Sequence, residues 1–277
     1  MKSILTTGCS SGIGLCLAQG LKSSGYRVFA TARQETDVIK LQQQGFEAFQ
    51  LDLSRSESII QAVKQIDKKI NVLYALIHNG AYGQVGALED ISRQALEEQF
   101  QTNVFGWHEL TNLVLPKMKT HNQGRIIYLS SVLGFVAMPF RGPYNASKFA
   151  IEGLANTLRL ELSHTNIQLS LIQPGPIESK FRENAYLAFK RHVNQERSDY
   201  QSNYKKMIKR LRSEKLAQFT LPGSAVLKCV EHALSAKQAK IHYRVTFPTQ
   251  LFAWLIRLLP AMLMDKILNK AGGGGER

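Results

Sequence analysis

Cysteine is scarce in this 277-residue chain: Cys9, Cys16 and Cys229 are the only three. They are too few and too scattered for a disulfide framework or a metal site, so they read as small buried apolar residues in a reduced compartment, and no metal is expected. Long apolar runs are missing too. A bilayer span needs about 20 apolar residues, and the most apolar stretch, after Thr249, is interrupted by Arg257 and Pro260. The N-terminus leaves no room for a signal peptide, because Met1 and Lys2 lead at once into a short strand and a glycine loop. The cytoplasm is therefore the expected location. No shift in composition marks an internal linker, and the length fits one large domain with one sizeable core.

What the chain has in excess is positive charge, a formal +14 with a pI near 9.7. Such a balance invites nucleic acid or anionic lipid. Half of it is local, however: between Lys180 and Lys215, 11 basic residues stand against 4 acidic ones. No nucleic-acid recognition motif accompanies the charge, so no nucleic acid is expected as a partner.

Along the chain, strands alternate with helices. Residues 3–6 form a short apolar strand, followed without a break by Thr7-Gly8-Cys9-Ser10-Ser11-Gly12-Ile13-Gly14 and an apolar-periodic helix over 15–21. Strand, glycine loop and helix N-terminus together make a phosphate cradle, in which glycine lets the backbone approach a pyrophosphate and free N–H groups favour its charge. A second strand, 27–32, ends at Arg33, with no carboxylate from Val28 to Arg33. In dinucleotide folds an acid near this point grips the ribose 2′-hydroxyl, whereas a base accommodates the 2′-phosphate of NADP. NADP(H) is favoured on this ground, with NAD(H) the alternative that Glu35 or Asp37 would bring; the plainer reading of Arg33 is a solvated loop charge.

The alternation continues with a helix over 36–44, a strand over 47–51 ending at Asp52, a helix over 56–69 and a strand over 72–77 leading to His78-Asn79-Gly80-Ala81. A long helical region over 92–118 contains Asn103 among apolar neighbours, and a strand over 124–131 ends in two serines, Ser130 and Ser131. Strands alternating with helices imply a doubly wound parallel α/β sheet whose ligands sit beyond the carboxyl ends of the strands. Asp52, His78, Asn79 and Ser131 all fall there. The competing readings are a helix cap for Asp52 and a satisfied, semi-buried histidine for His78.

Tyr144-Asn145-Ala146-Ser147-Lys148 then opens a helix running to 162. Residues four apart share a helix face, so the phenol and the ammonium point into one space. A phenol titrates near ~10, and a neighbouring cation favours the phenolate, which would bring Tyr144 closer to neutrality as an acid or base. Alone, the pair reads as a solvated helix face as readily as a catalytic one. A further strand over 167–172 ends in Gln173-Pro174-Gly175-Pro176, whose proline and glycine fix a turn.

In order and spacing, Thr7 to Gly14, Asp52, Asn79-Gly80, Asn103, Ser131, Tyr144-x-x-x-Lys148 and Pro174-Gly175 resemble the short-chain dehydrogenase/reductase family over about residues 2–247, with Ser131 thirteen positions before Tyr144. The resemblance implies a Rossmann fold in one domain. It implies Tyr144 as general acid or base, Lys148 on the nicotinamide ribose, Ser131 on the substrate oxygen and Asn103 holding a water behind the lysine. Cofactor contacts are implied for Gly8, Ser10, Ser11, Gly12, Ile13, Gly14, Arg33, Asp52, Leu53, Asn79, Gly80, Tyr144, Lys148, Pro174, Gly175, Ile177 and Ser179. Two departures stand out: the usual Asn-Asn-Ala-Gly is His78-Asn79-Gly80-Ala81 here, which puts local rigidity in question, and Ser179 stands where a threonine is common.

Short motifs around Cys9, Gly80 and Pro176 are similar to the branch with hydroxysteroid and retinol dehydrogenases and broad-specificity bacterial aldehyde reductases. An apolar carbonyl or alcohol is the implied substrate, and a homo-oligomer the implied assembly. A binding or regulatory protein that holds a cofactor at a membrane with little turnover is the competing reading. The basic segment 178–215 is expected as a helical lid, its apolar face over the substrate. The extension 248–277 is expected to be apolar and helical with a disordered end at 271–277. Its apolar part lies in a membrane interface, caps the pocket or packs against a second subunit.

Overall fold

The computed structural model describes residues 1–272. Seven strands, β1 (Ser3–Thr6), β2 (Arg27–Ala32), β3 (Glu47–Gln50), β4 (Ala75–His78), β5 (Gly124–Leu129), β6 (Ile167–Gln173) and β7 (His242–Arg244), form one sheet in the order β3-β2-β1-β4-β5-β6-β7. Every pairing is parallel, from Ser3 opposite Arg27 to Gln173 opposite Arg244. The inner strands are buried on both faces, as their unbroken apolar runs require.

One face of the sheet is covered by α3 (Ser56–Asp67), α5 (Gly106–Thr120) and α6 (Gly142–Glu161), around a core that includes Phe29, Ile59, Trp107, Leu110 and Ile151. The other face carries α1 (Gly12–Ser23), α2 (Glu35–Gln43) and α9 (Ser224–Ser235), with Leu17, Val38 and Val230 in its core. The strand order reverses between β1 and β4, which opens a crevice at the carboxyl ends of these two strands.

Differences from the sequence reading are local. The helical region after residue 92 is α4 (Arg93–Phe100), a π-helical turn over Gln101–Phe105, then α5. The wider turn carries the fully buried Asn103, and such turns frequently mark functional sites. Neither α9 nor β7 was anticipated: β7 is three residues long and two of them are basic or polar. Segment 178–215 holds α7 (Phe181–His192) and α8 (Gln201–Leu211), whose apolar sides meet Val85 and Ala87 beyond β4. The tail forms α10 (Phe247–Leu258) and α11 (Ala261–Gly272). Ala271 and Gly272, expected to be disordered, close α11; residues 273–277 of that stretch lie outside the described residues.

Candidate active site

The loop after β1 is shaped by contacts between backbones. Gly8 is left-handed, with φ +67°, and a Cβ there would come within 2.7 Å of Gly80 Cα. A Cβ on Gly14 would overlap the Gly8 carbonyl oxygen and meet the Asn79 amide nitrogen at 2.5 Å. Ser11, the N-cap of α1, makes no side-chain cap, and the first turn holds no acid. The N-terminal N–H groups of α1 are thus left to an anion, and the glycines leave room for one to come close. This cradle fits the diphosphate of a dinucleotide. Ser10 is exposed, Ser11, Gly12 and Ile13 half-buried.

Asn79 locks this loop to β4. Its side-chain Nδ2 donates to the carbonyls of Thr7 at 2.9 Å and Gly8 at 3.0 Å. Thr7 Oγ1 accepts the backbone N–H groups of Asn79 and Gly80, both at 2.9 Å, and Trp107 Nε1 donates to the Gly80 carbonyl at 2.8 Å. Of these five hydrogen bonds, three hold Asn79 and two hold Gly80, through its N–H and its carbonyl.

Arg33 stands exposed at the end of β2, where its carbonyl accepts from Gln50 Nε2 at 3.1 Å. Glu35 and Asp37 belong to the first turn of α2, and Asp37 is paired with Lys40 at 3.5 Å. Asp52 is not a helix cap: Oδ1 accepts from both the N–H and the hydroxyl of Ser54, at 2.9 and 2.7 Å, while Arg55 is the N-cap of α3. Leu53 is buried, and its Cδ1 would lie 3.1 Å from a Cβ on Gly80.

At the ends of β5 and β6 the chemistry-bearing side chains converge. Ser131, Tyr144 and Lys148 are all buried. Pro143 lies in the first turn of α6, consistent with its fixed φ, and Tyr144, the next residue, shares the inward face with Lys148 one turn on. Burial pushes the Tyr144 phenol up to about 12, against the pull of its hydrogen bond with Ser131. Lys148 is pushed down to about 7 by burial, opposed by Glu152. The lowered phenol expected from the Tyr-x-x-x-Lys spacing meets the opposite direction, because loss of hydration is the largest effect on Tyr144, while the Lys148 ammonium donates to the Leu129 carbonyl at 2.7 Å. The same ammonium lies 4.5 Å from the Trp107 ring centroid and 5.6 Å from that of Tyr144.

Asn103 donates from Nδ2 to the Tyr82 carbonyl at 3.0 Å and to Ser147 Oγ at 3.1 Å, and its Oδ1 accepts the Tyr82 N–H at 3.3 Å. Ser147 in turn donates to the Tyr144 carbonyl at 2.9 Å. Asn103 thus ties the loop after β4 to the helix of Tyr144 through Ser147. His78 is fully buried, stacked between Trp107 and Tyr128 with ring centroids at 5.1 and 4.7 Å. Its Nε2 bonds Thr111 Oγ1 at 2.8 Å, and burial with the charge of Lys148 pushes it down to about 3. It is a neutral packing residue.

Pro174-Gly175 continues β6: the Pro174 carbonyl accepts the Val132 N–H at 2.8 Å, which fixes the turn beside Ser131. Ile177 bridges to Leu221, and the Ser179 hydroxyl donates to the Ile177 carbonyl at 3.3 Å. A Cβ on Gly12 would lie 3.1 Å from Ser179 Cβ, so the turn and the glycine loop face each other across the crevice. Phe181, which opens α7, approaches the Tyr144 ring to 5.0 Å. From the tail, Phe252, Met264 and Leu268 join Val132, Leu133, Val136 and Tyr144 in one apolar cluster.

Three contributors escaped the sequence reading. Trp107 lies four residues after Asn103, Ser147 four after the end of the loop at Pro143, and Glu152 four after Lys148. Helical spacing would have placed Trp107 and Glu152 on the faces of Asn103 and Lys148. Glu152 accepts from Gln173 Nε2 at 2.8 Å, which joins α6 to the last residue of β6. Among the described residues, no group of three or more His, Cys, Asp or Glu could hold a metal.

The model of a family described as short chain dehydrogenase matches residues 2–188. An uncharacterised oxidoreductase of Escherichia coli strain K12, YbbO, is 42% identical over 269 residues, 97% of this chain and 94% of that protein. Human retinol dehydrogenase 8 is 39% identical over 190 residues, covering 65% of this chain and 60% of that one. A solved short-chain dehydrogenase/reductase from Burkholderia phymatum, in complex with NAD, superposes with a TM-score of 0.76 at 22% identity, over 93% of this chain and 94% of its own.

Proposed function

The chain belongs to the short-chain dehydrogenase family, and from that premise we propose that it is an NADP(H)-dependent oxidoreductase that reduces an apolar aldehyde or ketone, in the cytoplasm. The observation that carries this reading is the buried trio Ser131, Tyr144 and Lys148 beside the anion cradle of Gly8 to Gly14. A nicotinamide cofactor held there supplies the hydride. Gly8, Ser10, Ser11, Gly12, Ile13 and Gly14 would hold its diphosphate. Asp52, Leu53, Asn79 and Gly80 border its adenosine side, and Pro174, Gly175, Ile177 and Ser179 its nicotinamide side. Arg33, exposed where no carboxylate competes for a ribose, favours a 2′-phosphate, hence NADP(H) over NAD(H).

The chain's own residues do the rest. Ser131 and Tyr144, bonded to each other, offer two hydroxyls to a carbonyl oxygen on which charge develops. A phenol held near 12 is protonated throughout the physiological range, so Tyr144 meets a carbonyl oxygen as the acid. Lys148, near 7, can pass a proton in the same range and stands on the same helix face. Asn103 and Ser147 fix the helix that carries both. Phe181, Phe252, Met264 and Leu268 surround Tyr144 with hydrocarbon, which supports an apolar substrate, as does the similarity to a retinol dehydrogenase. A homo-oligomer belongs to the same reading, since Phe149, Leu154 and Leu160 expose apolar surface on α6.

The test is a panel of aliphatic, retinoid and steroid carbonyls with NADPH and with NADH. Faster oxidation of NADPH by the longer apolar carbonyls is expected. A preference for NADH, or for short polar carbonyls, would contradict the assignment of cofactor or of substrate class respectively.

A further inference from the structure

The outer side of the tail is as apolar as its inner side. On α10, Phe247, Leu251, Trp254 and Leu258 follow at spacings of four, three and four, a single stripe on the helix. They are 59, 41, 61 and 71% exposed, while Phe252 and Ala253 face the protein. The stripe is extended at one end by the exposed Phe219, whose ring lies 5.5 Å from that of Phe247. Beyond Pro260, α11 adds exposed Met262, Leu263 and Ile267, again with Met264 and Leu268 turned inward. No helix among the described residues is long and apolar enough to cross a membrane.

We infer that this stripe docks in the interfacial layer of an anionic lipid bilayer and holds the apolar cluster around Tyr144 close to the lipid. The chemistry around the stripe selects that occupant. Arg257, three residues from Trp254, and Lys266 and Lys270, within one turn of Met262, Leu263 and Ile267, are exposed beside the apolar side chains. Asp265 is the lone acid between residues 248 and 272. Large apolar and aromatic side chains flanked by Lys and Arg are what an interfacial helix presents to anionic headgroups. A second copy would instead bring these same cations against themselves, on a chain already at +14.

The consequence for catalysis rests on the apolar-substrate reading. The inner faces of the two docking helices supply Phe252, Met264 and Leu268 to the cluster around Tyr144. A carbonyl on an acyl or polyprenyl-like chain dissolved in the bilayer would therefore reach the phenol along these helices without crossing water. The docking itself makes no use of a substrate and is tested without one.

The chain carries a built-in probe. It has two tryptophans, and Trp107 is fully buried in the core, so a change of emission on adding lipid reports Trp254. The full chain is mixed with vesicles of phosphatidylcholine, or of phosphatidylcholine with phosphatidylglycerol, and followed by emission and by co-sedimentation. The inference expects a blue shift and pelleting with the anionic vesicles, both weakened by salt. It expects pelleting without the shift for Trp254→Phe, and at least about a tenfold loss of partition for Trp254→Glu/Leu258→Glu. Turnover of a short water-soluble aldehyde should be unchanged in that double variant, so a failure to bind lipid is separable from a failure of the catalytic reading. A full chain that stays in the supernatant with anionic vesicles overturns the inference. So does a double variant that binds lipid as well as the wild type, or one that turns a dimer into a monomer in sedimentation velocity, because a second copy would then be the occupant.

Discussion

Lys148 should make the protein less stable than it would be with an apolar residue in its place, and by an amount that depends on pH. Its ordinary value of 10.5 is pushed down to about 7 by burial. At roughly 1.4 kcal/mol per pH unit, keeping this ammonium charged costs the fold roughly 5 kcal/mol at pH 7 and below. The sign follows from proton counts: between pH 7 and 10.5 the unfolded chain binds the proton and the folded chain does not, so stability from this group rises with pH and the cost vanishes near 10.5. Lys148→Met keeps the length and removes the charge. It also strands the Leu129 carbonyl and loses the attraction to Trp107, an offset of about 2–3 kcal/mol at every pH.

The variant should thus be more stable than wild type by about 2 kcal/mol at pH 7 and slightly less stable at pH 9, where only about 2 kcal/mol of the charge cost remains. Urea unfolding of the cofactor-free protein at the two pH values, followed by circular dichroism, measures this. The difference between variant and wild type should fall by about 2 kcal/mol from pH 7 to pH 9, whatever the offset. Parallel stability profiles would refute the reasoning, since they would mean that Lys148 is hydrated or paired at neutral pH. The same variant should lose carbonyl reduction, an exchange of stability for function at one side chain.

Other perturbations test other parts of the site. Arg33→Ser should weaken NADPH binding about 10- to 100-fold and leave NADH binding nearly unchanged, read by cofactor titration. His78, held near 3 against an ordinary 6.5, resists protonation in the fold, so wild-type stability should fall as pH drops from about 6.5 towards 3. His78→Asn should flatten that fall by about 3 kcal/mol between pH 6.5 and pH 4, measured by denaturant unfolding at both. Tyr204 accepts the Ala87 N–H at 2.8 Å and donates to Asp90, which also takes the Ser198 hydroxyl at 2.6 Å. Tyr204→Phe should cost about 1–3 kcal/mol, seen as a lower unfolding midpoint, by leaving the buried N–H without its partner.

What could be read without coordinates followed from short-range order. The glycine loop after β1, the inward face shared by Tyr144 and Lys148, and the alternation of strands and helices all rest on periodicities of a few residues. The parallel sheet was legible for that reason. What stayed hidden depends on where separate elements meet. Asn103 was recognised as a buried polar residue, but its partners Tyr82 and Ser147 come from other elements, and nothing local shows that a π-helical turn aims it at them. The burial that moves Lys148 from 10.5 to about 7, against the pull of Glu152, is tertiary: the ammonium lies against Leu129 of β5 and Trp107 of α5. The Tyr-x-x-x-Lys spacing suggested an electrostatic effect; tertiary burial pushes the phenol in the other direction. The tail read as one apolar run because both sides of α10 are apolar, one for the core around Tyr144 and one facing outward.

The central claim is that Tyr144 donates the proton, and one comparison tests it most directly: NADPH consumption by wild type and Tyr144→Phe with the same apolar aldehyde, alongside NADPH binding measured separately. Turnover should fall by about 100-fold to 10,000-fold while cofactor affinity stays within about threefold. Equal turnover in the two proteins would contradict the account, because the phenol beside Ser131 would then be a packing group and the proton would have another source.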